Sequence, residues 1–245
     1  MRQIILAINA LLKFKAYTLI NVLGLACSLA CVLTVARYIH QENTVNQCFP
    51  EYKRICLIKT STSSGENFLG GYRSGLEKNP DVEQFTVIYQ ISDMPALFGE
   101  QEIAANAFSV DSTFFKIFPY RVIAGSGRIV RPRDVVITRS FWKKKLGGKN
   151  AIGATFKNTK GNKFTIIGVV DDPDTKTSWM PDIFMSDELD EFLFFDPIYA
   201  MLMAPDTDIA LLNKKYSKEH PRSKWSTYET VRLCLIHISE PTRPY

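Results

Sequence analysis

The chain has 245 residues, of which 46% are hydrophobic and 22% charged. This composition excludes collagen-like, low-complexity and wholly disordered chains. The net charge of +5 comes mostly from residues 1–38, which contain no acidic residue and four basic ones, Arg2, Lys13, Lys15 and Arg37. Residues 39–231 carry 24 basic and 24 acidic side chains. Because nucleic-acid binding needs a clustered basic surface, the sequence predicts no nucleic-acid partner.

A run of 21 uncharged residues from Ala16 to Ala36 predicts a transmembrane helix over residues 16–38. At about 1.5 Å per residue, such a helix spans roughly 31 Å, the thickness of a bilayer's hydrocarbon core. Three basic residues precede the run without an acidic counterpart and set the topology: Arg2, Lys13 and Lys15. The positive-inside rule places this basic segment, residues 1–15, in the cytoplasm. We therefore expect a plasma (inner) membrane protein with an extracytoplasmic main body.

Two alternatives compete with a retained helix. A cleavable signal peptide has an apolar core of about 7–15 residues, whereas this run is longer and ends in Arg37-Tyr38. A lipoprotein signal would end at Cys31, but apolar residues continue to Val35. The sequence favours the retained helix. A short interfacial helix, or an extension of the same helix, is predicted before it from the spacing of Ile4, Ile8, Leu11 and Leu12.

Small residues recur within the span at i, i+4 spacing, Gly24 with Ser28 and Ala26 with Ala30. This spacing lets another membrane helix approach closely, which makes the four residues candidates for helix–helix packing. Small residues are also common in membrane helices for no such reason. The sequence leaves both interpretations open.

The body alternates strand and helix patterns. Short apolar or alternating runs predict four strands: Arg54–Thr60, Gln84–Gln90, Asp134–Thr138 and Lys163–Asp171. Helical spacing and end signals predict three helices: Gly65–Lys78, a short one capped by Asp111, and Thr138–Leu146. Loops are predicted at RIVRPRD, residues 128–134, and at DDPDTKTSWMPD, residues 171–182, beyond which the sequence leaves the order of elements open. The fold class is therefore α+β, with one N-terminal membrane helix followed by a mixed α/β extracytoplasmic domain.

The patterns indicate no catalytic residue, cofactor or metal site. The three histidines, His40, His220 and His237, lack the context of a nucleophile motif. Asp172 and Asp174 could begin a calcium loop, but Lys176 stands at the next ligand position and no acidic residue closes the loop. We predict a protein that is not an enzyme and holds neither cofactor nor metal.

The cysteines leave the question of a disulfide open. Cys48 and Cys56 would lie in an oxidising compartment, where a bridge can form, but their separation does not establish one. Cys27 and Cys31 lie inside the apolar span, where a cysteine behaves as a small apolar residue.

Several segments together carry a family resemblance. The span KAYTLINVLGLACSLACVLTVARYIHQE is followed by Cys48-Phe49-Pro50 and Tyr52-Lys53-Arg54-Ile55. Val110–Phe118 with Ala124-Gly125, and then Val135–Asp172, follow in order. These segments resemble ABC transporter permeases of the MacB/FtsX type and their periplasmic core domain, with the spacing of the first phenylalanine altered. The resemblance covers about residues 5–185.

The resemblance implies a permease without catalytic residues, present as a homodimer or pseudo-dimer in the lipid bilayer. A separate cytoplasmic ABC ATPase subunit would drive it, and a periplasmic adaptor or substrate would be a further partner. Movement would pass through the membrane helices to the periplasmic domain, so that a substrate is exported across the membrane or extracted from it. Substrates of the family include lipoproteins, peptides and small toxic compounds, and FtsX-like members regulate cell-wall hydrolases.

The sequence departs from the family in length, because such permeases commonly continue with three more membrane helices and no second apolar span follows here. The segment LCLIHISEPTR, Leu233–Arg243, resembles a translated sequencing adapter. We therefore expect an incomplete core domain over residues 39–231 and a non-native tail over residues 232–245. The alternative is a genuine C-terminus, which would favour a single-pass membrane-anchored sensor or interaction domain. A membrane-tethered enzyme is a more distant alternative.

Overall fold

The computed structural model describes residues 13–62, 65–68, 79–148, 150–186, 197–219 and 230–236. The chain divides into two compact units, residues 1–44 and residues 45–245. The first unit consists, in its described part, mainly of helix α1, Lys15–Asn43. The second unit is a sheet-rich domain.

Helix α1 is one continuous helix of 29 residues, none of which is buried. Among the described residues it is the one helix long and apolar enough to cross a membrane. Two of its hydroxyl groups donate to carbonyls one turn earlier, Ser28 Oγ to Gly24 O at 2.8 Å and Thr34 Oγ1 to Ala30 O at 2.7 Å. These bonds satisfy polar groups within an apolar helix. The predicted interfacial segment before α1 lies outside the described residues.

The described part of the second unit contains eleven strands and three helices. The strands are β1 (Ile55–Thr62), β2 (Gly65–Phe68), β3 (Val82–Phe98), β4 (Gln101–Val110), β5 (Val122–Gly125), β6 (Asp134–Thr138), β7 (Thr155–Lys157), β8 (Lys163–Val170), β9 (Ile183–Ser186), β10 (Ile198–Met203) and β11 (Thr230–Leu235). The helices are α2 (Phe114–Ile117), α3 (Arg139–Lys145) and α4 (Ile209–Glu219).

All these strands belong to one sheet. Its order is β11-β1-β10-β3-β4-β9-β6-β8-β5, while β2 pairs with β1 and β7 pairs with β3 and β8. Neighbouring strands are antiparallel except for the parallel pairs β4–β9 and β6–β8. The mixture of parallel and antiparallel pairs confirms the predicted α+β class.

The four predicted strands are confirmed as β1, β3, β6 and β8, but β3 is much longer than its sequence pattern. The pattern stops at Gln90, whereas β3 continues to Phe98 and pairs with β4. The register shifts between Ile91 and Met94, and Asp93 in between has a φ of 50°. Such an irregularity interrupts the alternation by which a strand is recognised, and for this reason the sequence pattern does not extend over the second half of β3.

Two of the three predicted helices are confirmed, and the caps explain where they begin. The Asp111 carboxylate accepts hydrogen bonds from the backbone N–H groups of Thr113 and Phe114, at 2.9 and 3.0 Å, before α2. Thr138 Oγ1 accepts from Phe141 N at the start of α3. Both are the short polar side chains that helix N-termini prefer.

The prediction of a helix over Gly65–Lys78 is wrong at its start. Gly65–Phe68 forms strand β2, which pairs antiparallel with Lys59–Thr62 of β1. Helical spacing is a weak preference that tertiary contacts override, and here β1 offers backbone hydrogen bonds. The remainder of the predicted helix, residues 69–78, lies outside the described residues.

Phenylalanine side chains dominate the core. One cluster contains Phe49, Phe114, Phe118 and Phe184, each at most 2% exposed. The ring centroids of Phe114 and Phe184 lie 5.5 Å apart, so α2 packs directly on β9. A second cluster contains Phe141 of α3 with Phe156 and Phe164 of the β7–β8 hairpin, while Lys143, Lys144 and Lys145 of the same helix are exposed. Phe49 of the first cluster belongs to the segment that follows α1.

Candidate functional site

The segment that follows α1 enters the core of the second unit almost immediately. Helix α1 ends at Asn43, and after Thr44 the side chains of Val45 and Asn46 are 8% and 5% exposed. Phe49 is 2% exposed. One residue, Thr44, therefore separates the last residue of α1 from the first buried residue of the second unit.

Asn46 ties this segment to the loop after β8. Its backbone has a φ of 61°, a left-handed conformation that asparagine tolerates better than most residues. The Asn46 N–H donates to Lys176 O at 2.9 Å, and Oδ1 accepts from Thr177 Oγ1 at 2.8 Å and Ser178 N at 3.0 Å. Its Nδ2 donates to Ile236 O at 2.8 Å. One buried amide thus joins three parts of the chain.

Aromatic packing holds the same loop, residues 171–182. The Phe49 ring lies 5.0 Å from Phe118 and 5.7 Å from Tyr120, and Phe118 stacks on Trp179 at 5.2 Å. The Tyr120 hydroxyl donates a hydrogen bond to Trp179 O. Burial raises the pKa of Tyr120 well above its ordinary value, because the phenolate would lose its hydration. The phenol therefore stays protonated and acts as a donor.

Two carboxylates at the beginning of the 171–182 loop bind neighbouring side chains. The Asp171 carboxylate accepts hydrogen bonds from Arg121 Nε and Arg139 Nη2, both at 2.9 Å. The hydrogen bond from Arg121 is the main reason that the pKa of Asp171 lies below its ordinary value. The Asp172 carboxylate accepts from Ser140 Oγ at 2.6 Å and from Ser140 N at 3.1 Å. Asp172 thus anchors the loop to α3.

We refer to the segment Val45–Phe49 together with the 171–182 loop as the junction. A cavity of about 480 Å³ adjoins it, and Cys48, Tyr120, Asp171 and Thr175 are among the residues that line this cavity. Burial raises the pKa of the Cys48 thiol, so the thiol is not activated as a nucleophile. Burial also raises the pKa of Cys56 to about 12. The two cysteines are not bridged to each other.

The residues that the sequence singled out do not gather at this junction. Gly24, Ala26, Ser28 and Ala30 all lie exposed along α1, and a Cβ placed at Gly24 would meet no atom within 4 Å. Their role in helix packing stays a prediction. Lys13 and Lys15 are exposed at the beginning of the described chain, and Arg2 lies outside it.

The groups around Asn46 form hydrogen bonds, ion pairs and ring contacts. His40 is exposed on α1, while His220 and His237 lie outside the described residues. Within the described ranges, no group of three His, Cys, Asp or Glu side chains could hold a metal ion.

Sequence reasoning missed Asn46, Tyr120 and Trp179. One signal was available for Asn46, since it stands two positions before the Cys48-Phe49-Pro50 segment that carried the family resemblance. Tyr120 and Trp179 read as ordinary core aromatics, because their hydrogen bond joins positions 59 residues apart. Such a contact has no local sequence pattern.

We expect Asn46→Ala to lower the free energy of unfolding by about 2–4 kcal/mol, because it leaves several buried groups unpaired and keeps the unfavourable φ. Asn46→Gly should recover about 1 kcal/mol of that loss, since glycine adopts positive φ freely. The measurement is urea unfolding of the full chain in lipid nanodiscs, followed by tryptophan fluorescence. Exposed Asn150→Ala is the control, with a change within about 0.5 kcal/mol. An equally small change for Asn46→Ala would contradict the role of the amide.

Tyr120 should make the fold sensitive to alkaline pH. In the unfolded chain a tyrosine ionises near pH 10, whereas the folded structure holds Tyr120 protonated. The folded state then binds more protons than the unfolded state above pH 10, so stability falls as pH rises, by at most about 1.4 kcal/mol per unit from this group. We expect Tyr120→Phe to lower the free energy of unfolding by about 1 kcal/mol at pH 7. When urea unfolding is repeated at several pH values, the free energy of unfolding of this variant should decline less steeply between pH 10 and 11 than that of the wild type. Parallel declines for both proteins would exclude Tyr120 as its source.

Three solved structures resemble this chain, each at an identity that indicates the shared fold alone. A domain of a proposed permease protein from Porphyromonas gingivalis has a TM-score of 0.62 and 19% identity, covering 79% of this chain and 95% of that one. The periplasmic region of MacB from Actinobacillus actinomycetemcomitans has a TM-score of 0.58 and 15% identity, covering 77% and 91%. The extracellular domain of the noncanonic ABC-type transporter YknZ from Gram-positive bacteria has a TM-score of 0.54 and 13% identity, covering 72% and 98%.

A family model gives the stronger finding. No curated protein matches the chain. The model described as MacB-like periplasmic core domain matches residues 18–215, which is more than half of the chain. The match includes most of α1 and the sheet, and it confirms the resemblance to permeases of the MacB/FtsX type. The chain therefore belongs to the family of MacB-like periplasmic core domains of ABC transporter permeases, and its sheet domain follows the apolar helix α1.

Proposed function

We propose that the chain is the N-terminal part of a permease whose extracytoplasmic domain couples ATP hydrolysis to export of a substrate, or to its extraction from the membrane. A separate cytoplasmic ABC ATPase subunit supplies the hydrolysis. The positive-inside rule, applied to Arg2, Lys13 and Lys15, supports a cytoplasmic N-terminus, and in this proposal the core domain covers residues 39–231. A second permease copy, and a periplasmic adaptor or substrate, are the remaining partners of this proposal.

The observation that carries the proposal is the junction after α1. A permease that works through its periplasmic domain needs a stiff connection between membrane helix and domain. Here Val45 and Asn46 are buried directly after Thr44, and Asn46 holds the 171–182 loop through three hydrogen bonds. In this proposal, movement of the membrane helix reaches the domain through this segment.

The membrane helix supports the part of the proposal that concerns the second copy. Gly24, Ala26, Ser28 and Ala30 leave small side chains along α1, and no residue of α1 is buried within the chain. Close approach of another helix at small residues is a common way for membrane helices to associate. A second copy, or another helix of the same permease, would cover this surface.

The proposed topology predicts where a membrane-impermeant thiol reagent reacts. In a variant without the five native cysteines, Ser112→Cys should be labelled in intact spheroplasts, because exposed Ser112 belongs to the extracytoplasmic domain. Lys13→Cys is the matched control and should be labelled only after lysis. The reverse result at both positions would invert the topology and remove the permease proposal with it.

Coupling through the junction predicts that a flexible insertion disconnects helix and domain. We expect six Gly-Ser residues inserted between Thr44 and Val45 to leave the domain folded but to abolish the nucleotide response of the 171–182 loop. The response is the change in amide hydrogen exchange when the permease, in complex with its ATPase, is trapped with ATP and vanadate. The same insertion between Lys160 and Gly161, in the exposed β7–β8 turn, is the control and should preserve it.

Two outcomes of this experiment would count against the proposal. If the loop responds equally with the insertion after Thr44, the junction does not carry the coupling. If the wild-type chain forms no complex with an ATPase and shows no response, the alternative of a membrane-anchored sensor or interaction domain replaces the permease.

A further inference from the structure

A second cavity in the sheet domain shares no lining residue with the cavity beside the junction. Its volume is about 660 Å³, and it lies where the end of β4, helix α2, the 126–133 loop and the end of β9 meet. Small-molecule sites in proteins typically measure about 300–1,000 Å³ and combine apolar walls with a few polar groups. The dimensions of this cavity therefore suit a small ligand.

The apolar part of the lining comes from Phe115, Ile129 and Val130. Phe115 is half-buried, and its ring lies 5.3 Å from that of Phe184, so the core fixes its position. Val130 is 78% exposed, the highest exposure among the large hydrophobic residues described in the sheet domain. An apolar ligand segment would cover side chains that water now contacts.

The polar part of the lining has an excess of positive charge. Lys116 and Arg128 both line the cavity and are exposed, and neither forms an ion pair with a carboxylate in the described part of the chain. Asp111 also lines the cavity, but its carboxylate already accepts hydrogen bonds from within the domain. It accepts from Thr86 Oγ1 at 2.7 Å and from the backbone N–H groups that begin α2. The two cations therefore remain available to an anion.

We propose that this cavity binds a small amphiphilic anion, a single carboxylate, sulfate or phosphate headgroup on a short alkyl chain. The headgroup pairs with Lys116 and Arg128, where charge-assisted hydrogen bonds are strong, and the Ser112 hydroxyl offers a further donor. The alkyl chain lies against Phe115, Ile129 and Val130. This inference concerns a soluble ligand of the domain and does not depend on the proposed transport function.

The test is equilibrium dialysis of radiolabelled octanoate against the full chain in phosphatidylcholine nanodiscs, with empty nanodiscs subtracted. We expect saturable binding of one octanoate per chain. Lys116→Gln combined with Arg128→Gln should weaken it at least tenfold, and Val130→Ser should weaken it about threefold. The control is Lys143→Gln combined with Lys144→Gln, which removes two exposed charges from α3 and should leave binding unchanged.

Three results would overturn the proposal. The first is octanoate binding that the Lys116 and Arg128 substitutions leave unaltered. The second is equal binding of octyl glucoside, which has an alkyl chain of nearly the same length on an uncharged headgroup. The third is absence of saturable octanoate binding while an acidic peptide, or a nanodisc containing phosphatidylglycerol, binds in a way that depends on Lys116 and Arg128. That result would assign the surface to a protein or to the membrane. Circular dichroism spectra equal to wild type verify that each variant is folded.

Discussion

The burial of Asn46 directly after an apolar helix is the constraint on which the junction depends. A chain that leaves α1 at Asn43 and enters the core at Val45 must satisfy its backbone polar groups at once. Asn46 does so because its left-handed backbone turns the chain while its amide both donates and accepts. The loop after β8 depends on these bonds for its position, and Tyr120 and Trp179 then close the core around Phe49.

The two cavities described above differ in the charges that line them. Beside the junction, the cavity-lining Asp171 is paired with Arg121 and Arg139. At α2 the only carboxylate in the described lining is occupied by the cap of that helix. In the first site both arginines are engaged by Asp171, whereas Lys116 and Arg128 form no ion pair in the described part of the chain and remain free for the anion that we propose.

Local patterns predicted much of the fold and little of the site. Strands β6 and β8 and the capped helices α2 and α3 follow from alternation and capping within a few residues. Strand β2 and the second half of β3 did not follow, because pairing with β1 and β4 decides them. The contacts of Asn46 and Tyr120 reach across the chain, where no spacing rule applies. The expectation that residues 232–245 are non-native stays a prediction. The first residues of this tail belong to strand β11, Thr230–Leu235.

The sequence by itself determined the apolar helix, the balanced charge of the body and the family resemblance, because each depends on composition or on residues in consecutive order. Only the tertiary structure decided that one residue separates the helix from the core, and that Asp172 bonds Ser140. Lys116 precedes β5 in the sequence and Arg128 follows it, and only the tertiary structure brings both residues to one cavity. Burial and pairing between distant residues result from packing the whole chain, and a sequence pattern records only neighbours.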